Sequence, residues 1–215
     1  MKKEVMTEAA RRRPTRKALF LVIEGIDGSG KSTQVELLAR RLRRRGLQVV
    51  TLREPTQGKW GRKIRELSKT SGSVRPEEEL ELFIRDRQEN VARNIKPALK
   101  SGRTVILDRY YYSTLAYQGA RGLPLEEIRR RHQKFAVVPD LVFILDVPVS
   151  TGLRRIKDRP VIYSLFEEKE YLKKVRKIFL SFRDPEVVVV DGRPPAAVIH
   201  RKIWSLLLKK FPQLK

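Results

Sequence analysis

The stretch Gly25-Ile26-Asp27-Gly28-Ser29-Gly30-Lys31-Ser32 constrains this chain more than any other. It fits G-x-x-x-x-G-K-[ST], a loop that binds phosphate. The glycines let the backbone curl so that successive N–H groups point at phosphate oxygens. Lys31 brings a point charge for β- and γ-phosphates, and the Ser32 hydroxyl is a ligand for Mg²⁺. The context fits the motif. An apolar, strand-like run, Leu19-Phe20-Leu21-Val22-Ile23, precedes the loop. An amphipathic stretch follows, with Val35, Leu38 and Leu42 at helical spacing and Gly46 as its stop. Strand, glycine loop, helix is the order required, and the helix aims its N-terminus at the phosphates. An ordinary glycine-rich turn would not need that order.

Five strand-like runs are separated by helical stretches: 19–23, 47–52, 104–107, 141–145 and 187–190. Such alternation predicts a three-layer α/β fold, a five-stranded parallel sheet with helices on both faces. Each run ends in a charge, Glu24, Arg53, Asp108, Asp146 or Asp191. In parallel sheets ligands sit outside the carboxyl ends of the strands, so these charges mark the working rim. Long helices are expected over 76–100, 110–119, 125–137, 167–182 and 195–210, the last packing through Val198, Ile203, Trp204 and Leu207. Residues 18–215 form the predicted α/β domain. Residues 1–17 carry seven Lys/Arg against Glu4 and Glu8 and read as a basic, flexible tail. That tail has no aromatic residue to stack on bases.

With 40% hydrophobic residues in 215, the chain can bury a core. It has no cysteine, which excludes disulfides, thiolate metal sites and cysteine nucleophiles. No apolar run approaches the roughly 20 residues that span a bilayer, and no secretion signal opens the chain. A soluble, cytoplasmic protein without a membrane partner is expected. The 48 Lys+Arg against 25 Asp+Glu give a net charge of +23, a field that attracts nucleotides, nucleic acid or an acidic surface.

Other residues extend the chemistry. Asp108, ending the strand beside the loop, suits Mg²⁺, while Arg109 offers a donor fork to phosphate. The alternative is Asp108 as a helix N-cap. Arg53 is a second phosphate ligand or a solvated base. Phe83 and Arg87, one turn apart, form either a stacking ring beside a donor fork for a flat keto base, or core and surface. Ser113, Tyr117 and Gln118 are placed to line the same pocket. Residues 154–166, with Arg154, Arg155, Lys157 and Arg159, read as a basic lid. His132 and His200 suggest no metal role.

Together these residues resemble the thymidylate kinase family, within the P-loop nucleoside monophosphate kinases. The resemblance covers the chain from about residue 18 onward. It rests on Glu24 to Gln34, Arg53-Glu54-Pro55, Phe83 with Asp86-Arg87, Asp108-Arg109-Tyr110 with Ser113 and Ala116-Tyr117-Gln118, and Pro139-Asp140-Leu141 leading to Leu145-Asp146-Val147-Pro148. It implies a P-loop NTPase fold and transfer of the γ-phosphoryl group of ATP to dTMP, with Mg²⁺ as cofactor. It implies that Gly25, Ile26, Asp27, Gly28, Ser29, Gly30, Lys31, Ser32 and Thr33 hold ATP, and that Ser32 and Asp108 hold the metal. Phe83 stacks on thymine and Arg87 contacts its ring. Arg53 and Arg109 grip the acceptor phosphate, Asp27 lies near the sugar 3′-hydroxyl, and Tyr117 crowds the 2′ position. A homodimer is implied as well. The variable loop positions Ile26, Asp27, Gly28 and Ser29 are not basic, so the chain resembles the class with a catalytic lid arginine; Arg155 and Arg159 are the candidates. One departure is Ser164-Leu165-Phe166, where a further lid arginine is expected. Two alternatives stand beside this reading: a kinase for another nucleoside monophosphate, and a P-loop protein that binds nucleic acid with little or no kinase activity. No nucleic-acid motif accompanies the second.

Overall fold

The structure, a computed structural model, describes residues 18–67, 74–156 and 165–214. Strands β1 (Phe20–Glu24), β2 (Val49–Arg53), β3 (Thr104–Asp108), β4 (Leu141–Asp146) and β5 (Val187–Asp191) form one sheet in the order β2-β3-β1-β4-β5. Every ladder is parallel. Parallel neighbours need long crossovers, and helices supply them. They are α1 (Lys31–Arg44), α2 (Lys59–Leu67), α3 (Pro76–Asn90), α4 (Lys96–Lys100), α5 (Tyr111–Ala120), α6 (Leu125–Gln133), α7 (Val149–Arg155), α8 (Leu165–Ser181) and α9 (Ala196–Lys210). This is the expected P-loop NTPase architecture.

Alternation along the strands builds two cores. Phe20, Val22, Val105, Leu107, Val142 and Ile144 face α3, α5, α6 and α8. Leu19, Leu21, Ile23, Ile106, Phe143 and Leu145 face α1 and α9. Each fully buried side chain of this kind contributes about 1.5–3 kcal/mol. Asp140 fixes the start of β1: its Oδ2 accepts from Phe20 N at 2.8 Å, and its own N–H donates to Phe20 O at 2.8 Å. The Pro139-Asp140-Leu141 motif thus registers β4 on β1. No described helix is long and apolar enough to cross a membrane.

Some elements differ from expectation. The helix predicted over 76–100 is continuous, but Val91–Ile95 form a π-turn. Pro97 follows; a proline lacks the N–H and crowds the preceding turn, and a widened turn relieves both. The helix from Leu125 stops at Gln133 rather than at 137, where Phe135 N and Ala136 N both turn back to His132 O. Helix α2 was not foreseen, and neither was α7, which makes residues 152–155 helical rather than loop. Val198 is exposed, and Ile199 takes the core position expected of it. The basic tail, 1–17, and residues 157–164 of the expected lid lie outside the described residues.

Helix α7 braces the glycine loop after β1. Gly28 adopts φ +74°, and a Cβ there would fall on the carbonyl oxygen of Gly152. A Cβ on Gly152 would in turn stand 2.5 Å from Asp27 O. Two glycines therefore let two backbones touch, so the curl of the loop is set partly by α7. Gly152→Ala is expected to cost about 1–3 kcal/mol, because rigid backbone must move. Gly119→Ala meets chiefly the movable end of Leu125 and should cost less. Urea denaturation of both variants checks this; equal losses would remove the bracing.

Candidate active site

The glycine loop is closed on its own lysine. Gly25, Gly28 and Gly30 all take positive φ, 135°, 74° and 97°. Lys31 Nζ donates to Gly25 O at 3.0 Å and to Ile26 O at 2.9 Å. Burial and the neighbouring Arg109 lower its pKa to about 8, against the pull of Asp27, Asp108 and Glu24. Ser32 Oγ donates to Asp108 Oδ2 at 2.6 Å. The other carboxylate oxygen of Asp108 is buried without a partner among the described residues, and so is Ser29 Oγ. Asp108 stands there because β3 pairs with β1 in the register Ile23 to Asp108.

Arg109 leaves β3 with φ +69°, a left-handed conformation rare for a side-chain-bearing residue. Its backbone N–H donates to Ile23 O at 3.1 Å. The turn directs its guanidinium back to the glycine loop: Nη2 reaches Asp27 Oδ1 at 2.8 Å and Tyr117 OH at 3.3 Å, and Nη1 reaches Ser113 Oγ at 3.0 Å. Tyr117 OH also donates to Asp27 Oδ2 at 3.3 Å. Burial opposes the Asp27 charge, but Arg109 and Lys31 outweigh it and hold the carboxyl well below the usual range.

Glu24 supports this turn from below. Fully buried, it accepts from Tyr110 N at 2.7 Å, Ser113 N at 3.1 Å and Ser113 Oγ at 2.6 Å. Burial pushes its pKa up, while Ser113 and Arg109 resist. Glu24, rather than Asp108, thus satisfies the first N–H groups of α5. The alternative of Asp108 as an N-cap does not hold: the N-cap is Tyr110, and no side chain caps it in the usual way.

Arg53 is exposed, registered opposite Asp108, with no ion pair among the described residues. Phe83 is half-buried on α3. Arg87 is not a surface residue; it is 1% exposed. Its Nε donates to Glu54 Oε2 at 2.7 Å, and its Nη1 meets Thr114 Oγ1 at 2.8 Å and His132 Nε2 at 2.6 Å. Asn90 Nδ2 holds the other oxygen of Glu54 at 2.9 Å. Burial raises the Glu54 pKa, with Arg87 opposing. Next to it, Asp86 accepts Thr56 N at 2.8 Å and Thr56 Oγ1 at 2.5 Å, which ties the loop after β2 to α3. Gln118 Nε2 donates to Glu79 at 3.0 Å, and its Oε1 is buried without a partner among the described residues. Glu24, Glu54, Asp86, Asn90, Thr114 and His132 were not singled out from sequence as site residues. For Glu24 and Glu54 a signal existed, since both are charges at strand ends.

Arg155 spans the loop and the turn after β5, with Nη1 at 3.3 Å from Gly28 O and 3.2 Å from Gly192 O. Arg159 and Ser164 lie outside the described residues. Asp27, Lys31, Ser32, Asp108, Arg109, Ser113 and Tyr117 thus meet at one rim: an N–H cradle with a lysine, and, across Asp27, an arginine fork. Chemically, this is a pair of adjacent anion sites.

A thymidylate kinase family model matches residues 23–203. A probable thymidylate kinase of Archaeoglobus fulgidus is 41% identical over 197 residues, covering 92% of this chain and 98% of its own length. A thymidylate kinase of Desulfotalea psychrophila is 48% identical over 185 residues, 86% of this chain and 91% of its own. One from Thermococcus gammatolerans, again named as probable, is 43% identical over 199 residues, 88% and 95% of the two chains. The family match runs from the end of β1 into the last helix, and on it the chain belongs to the thymidylate kinase family.

Proposed function

We propose that this protein transfers the γ-phosphoryl group of ATP to dTMP, giving dTDP and ADP. The observation that carries the reading is the position of Asp27. It belongs to the loop that cradles the donor, yet it is bonded to Arg109 and Tyr117 on the acceptor side. Two phosphates held by those two groups are one side chain apart.

An oxygen of the dTMP phosphate attacks the γ-phosphorus, an O–P bond forms, and the bond to the β–γ bridging oxygen breaks. The attacking oxygen is already anionic, so no strong base is needed. The protein supplies alignment and charge. The N–H groups of Gly25 to Thr33 and the Lys31 ammonium take the donor phosphates. Arg109, aimed by Asp27 and Ser113, holds the acceptor phosphate, with Arg53 at the exposed edge. Phe83 stacks on the ring, and Arg87, Ser113 and Gln118 face its polar edge; the orphaned Oε1 of Gln118 is an acceptor in want of a donor. Tyr117 fills the space beside the sugar 2′ position, and Asp27, held ionised, accepts from the 3′-hydroxyl. Arg155, at the end of α7 beside the glycine loop, and Arg159, outside the described residues, are the candidates for the arginine charge on the γ-phosphate.

Ser32 and Asp108 suit Mg²⁺: both donors are hard oxygens, and Asp108 Oδ1 is buried and unpartnered. When bound, that ion would neutralise charge on the β- and γ-oxygens. A homodimer acting in the cytoplasm completes the reading.

Lys31→Ala should retain the fold and lose transfer by at least about a hundredfold. Phosphate transfer from ATP across a panel of nucleoside monophosphates should favour dTMP, and a stronger preference for another base would defeat the assignment. A second test follows from the lowered pKa of Lys31. Above pH 8 the free protein holds Lys31 increasingly neutral, and bound polyphosphate must recharge it. ATP binding at pH 8.5 should therefore take up protons, and affinity should fall as pH rises further. Calorimetry in buffers of different ionisation heat measures the uptake. Lys31→Arg should abolish it, and its absence in the native protein would show that Lys31 does not face the phosphates.

A further inference from the structure

We propose that His132 is a positioning residue for recognition of the base: its ring nitrogen fixes the plane of Arg87. The inference rests on the reading above that Arg87 faces the base. It adds a residue that contacts no substrate and for which the sequence suggested no metal role.

The geometry sets the role of each atom. His132 Nδ1 lies 2.7 Å from Ile128 O, so this nitrogen carries the hydrogen and donates it. Nε2 is then a lone-pair acceptor. Arg87 Nη1 stands 2.6 Å away and can only donate. Burial, followed by the Arg87 charge, lowers the His132 pKa to about 3, which keeps the ring neutral and the acceptor available. The ring is itself held by Tyr111 and Phe135, with centroids at 5.9 and 5.7 Å.

A guanidinium has five N–H donors in one plane. Nε is taken by Glu54, and the two hydrogens of Nη1 by Thr114 and His132. Tyr110 lies beneath, 5.4 Å from the guanidinium carbon. Three acceptors and a ring fix position and tilt, which leaves Nη2, with its two donors, as the edge for a ligand. An edge made only of donors selects an exocyclic carbonyl oxygen and rejects an amino group. With His132 removed, the guanidinium can swing about its Glu54 contact, and that selection weakens.

Steady-state kinetics with varied monophosphate and varied ATP test this, together with melting curves. His132→Leu should raise KM for dTMP about five- to tenfold, while kcat and KM for ATP stay within about twofold. Its preference for dTMP over dCMP should shrink. His132→Gln, whose amide oxygen can accept from Nη1, should recover most of both. Thr114→Val removes the other acceptor of Nη1 and should give a smaller shift of the same kind, even where His132→Leu does not fold. A folded His132→Leu or Thr114→Val with native KM for dTMP would overturn the proposal. So would equal damage from Leu and Gln at position 132, which would reduce His132 to filling space. Arg87→Lys separates the two levels. If it leaves KM for dTMP unchanged, the base-facing role of Arg87 fails and takes the inference with it. If it raises KM while His132→Leu does not, the inference alone fails.

Discussion

The carboxylate of Asp27, set between the Lys31 ammonium and the Arg109 guanidinium, is the interaction on which the site depends. Two cations in one poorly solvated corner repel, and each lowers the other's readiness to hold charge. Asp27 answers both, with Glu24 and Asp108 behind. The two cations thereby stay close together on either side of one carboxylate. Remove the shared carboxylate and Arg109 loses its strongest partner and its aim. The same charges would have to be arranged at the moment of reaction if they were not arranged by folding, and that reorganisation is what a preorganised site avoids.

Much of the scaffold around that corner was legible in the sequence, for identifiable reasons. The continuous apolar run from Leu19 to Ile23 and the order strand, glycine loop, helix each admit few structures. The charges ending each strand pointed to the rim, and the register places Arg53 and Asp108 opposite each other there. What periodicity cannot see is pairing. Arg87 has the sequence signature of a surface arginine on a helix rich in charge. Only the fold brings Glu54, 33 residues away, and His132, 45 residues away, to its two sides. His132 lies among arginines in sequence, so its neutrality and its acceptor nitrogen were equally hidden. The close contact of Gly28 with Gly152 escaped for the same reason: a glycine that admits another backbone reads like any other loop glycine.

The net charge of +23 drew attention to polyanions, but the structure distributes its electrostatic weight unevenly. Pairs such as Arg75–Glu78 and Arg130–Glu127 are largely exposed. Such pairs add little, since water and salt screen them. Arg87–Glu54 is different: both side chains are 2% exposed. Losing one member of such a pair costs about 3–5 kcal/mol, because the other is left charged and dry. Few buried groups, rather than the many surface ones, therefore govern how the site behaves.

That imbalance bears on why the buried pair exists. A buried ion pair is seldom the most stable filling for its space, since well-packed apolar side chains often do as well or better. Stability therefore gives little reason to bury an arginine, a glutamate, an asparagine, a threonine and a histidine together beneath α3. A guanidinium held in one orientation does give a reason. Glu54 neutralises it, Asn90 holds Glu54, and Thr114 and His132 set its rotation. The loop after β2 is tied to the same helix by Asp86. The helix that carries the proposed base-facing residues and the strand end that carries Arg53 are thereby joined through Glu54. A displacement at either end strains the same set of hydrogen bonds, so the proposed contacts to the ring and to the phosphate are built as one unit.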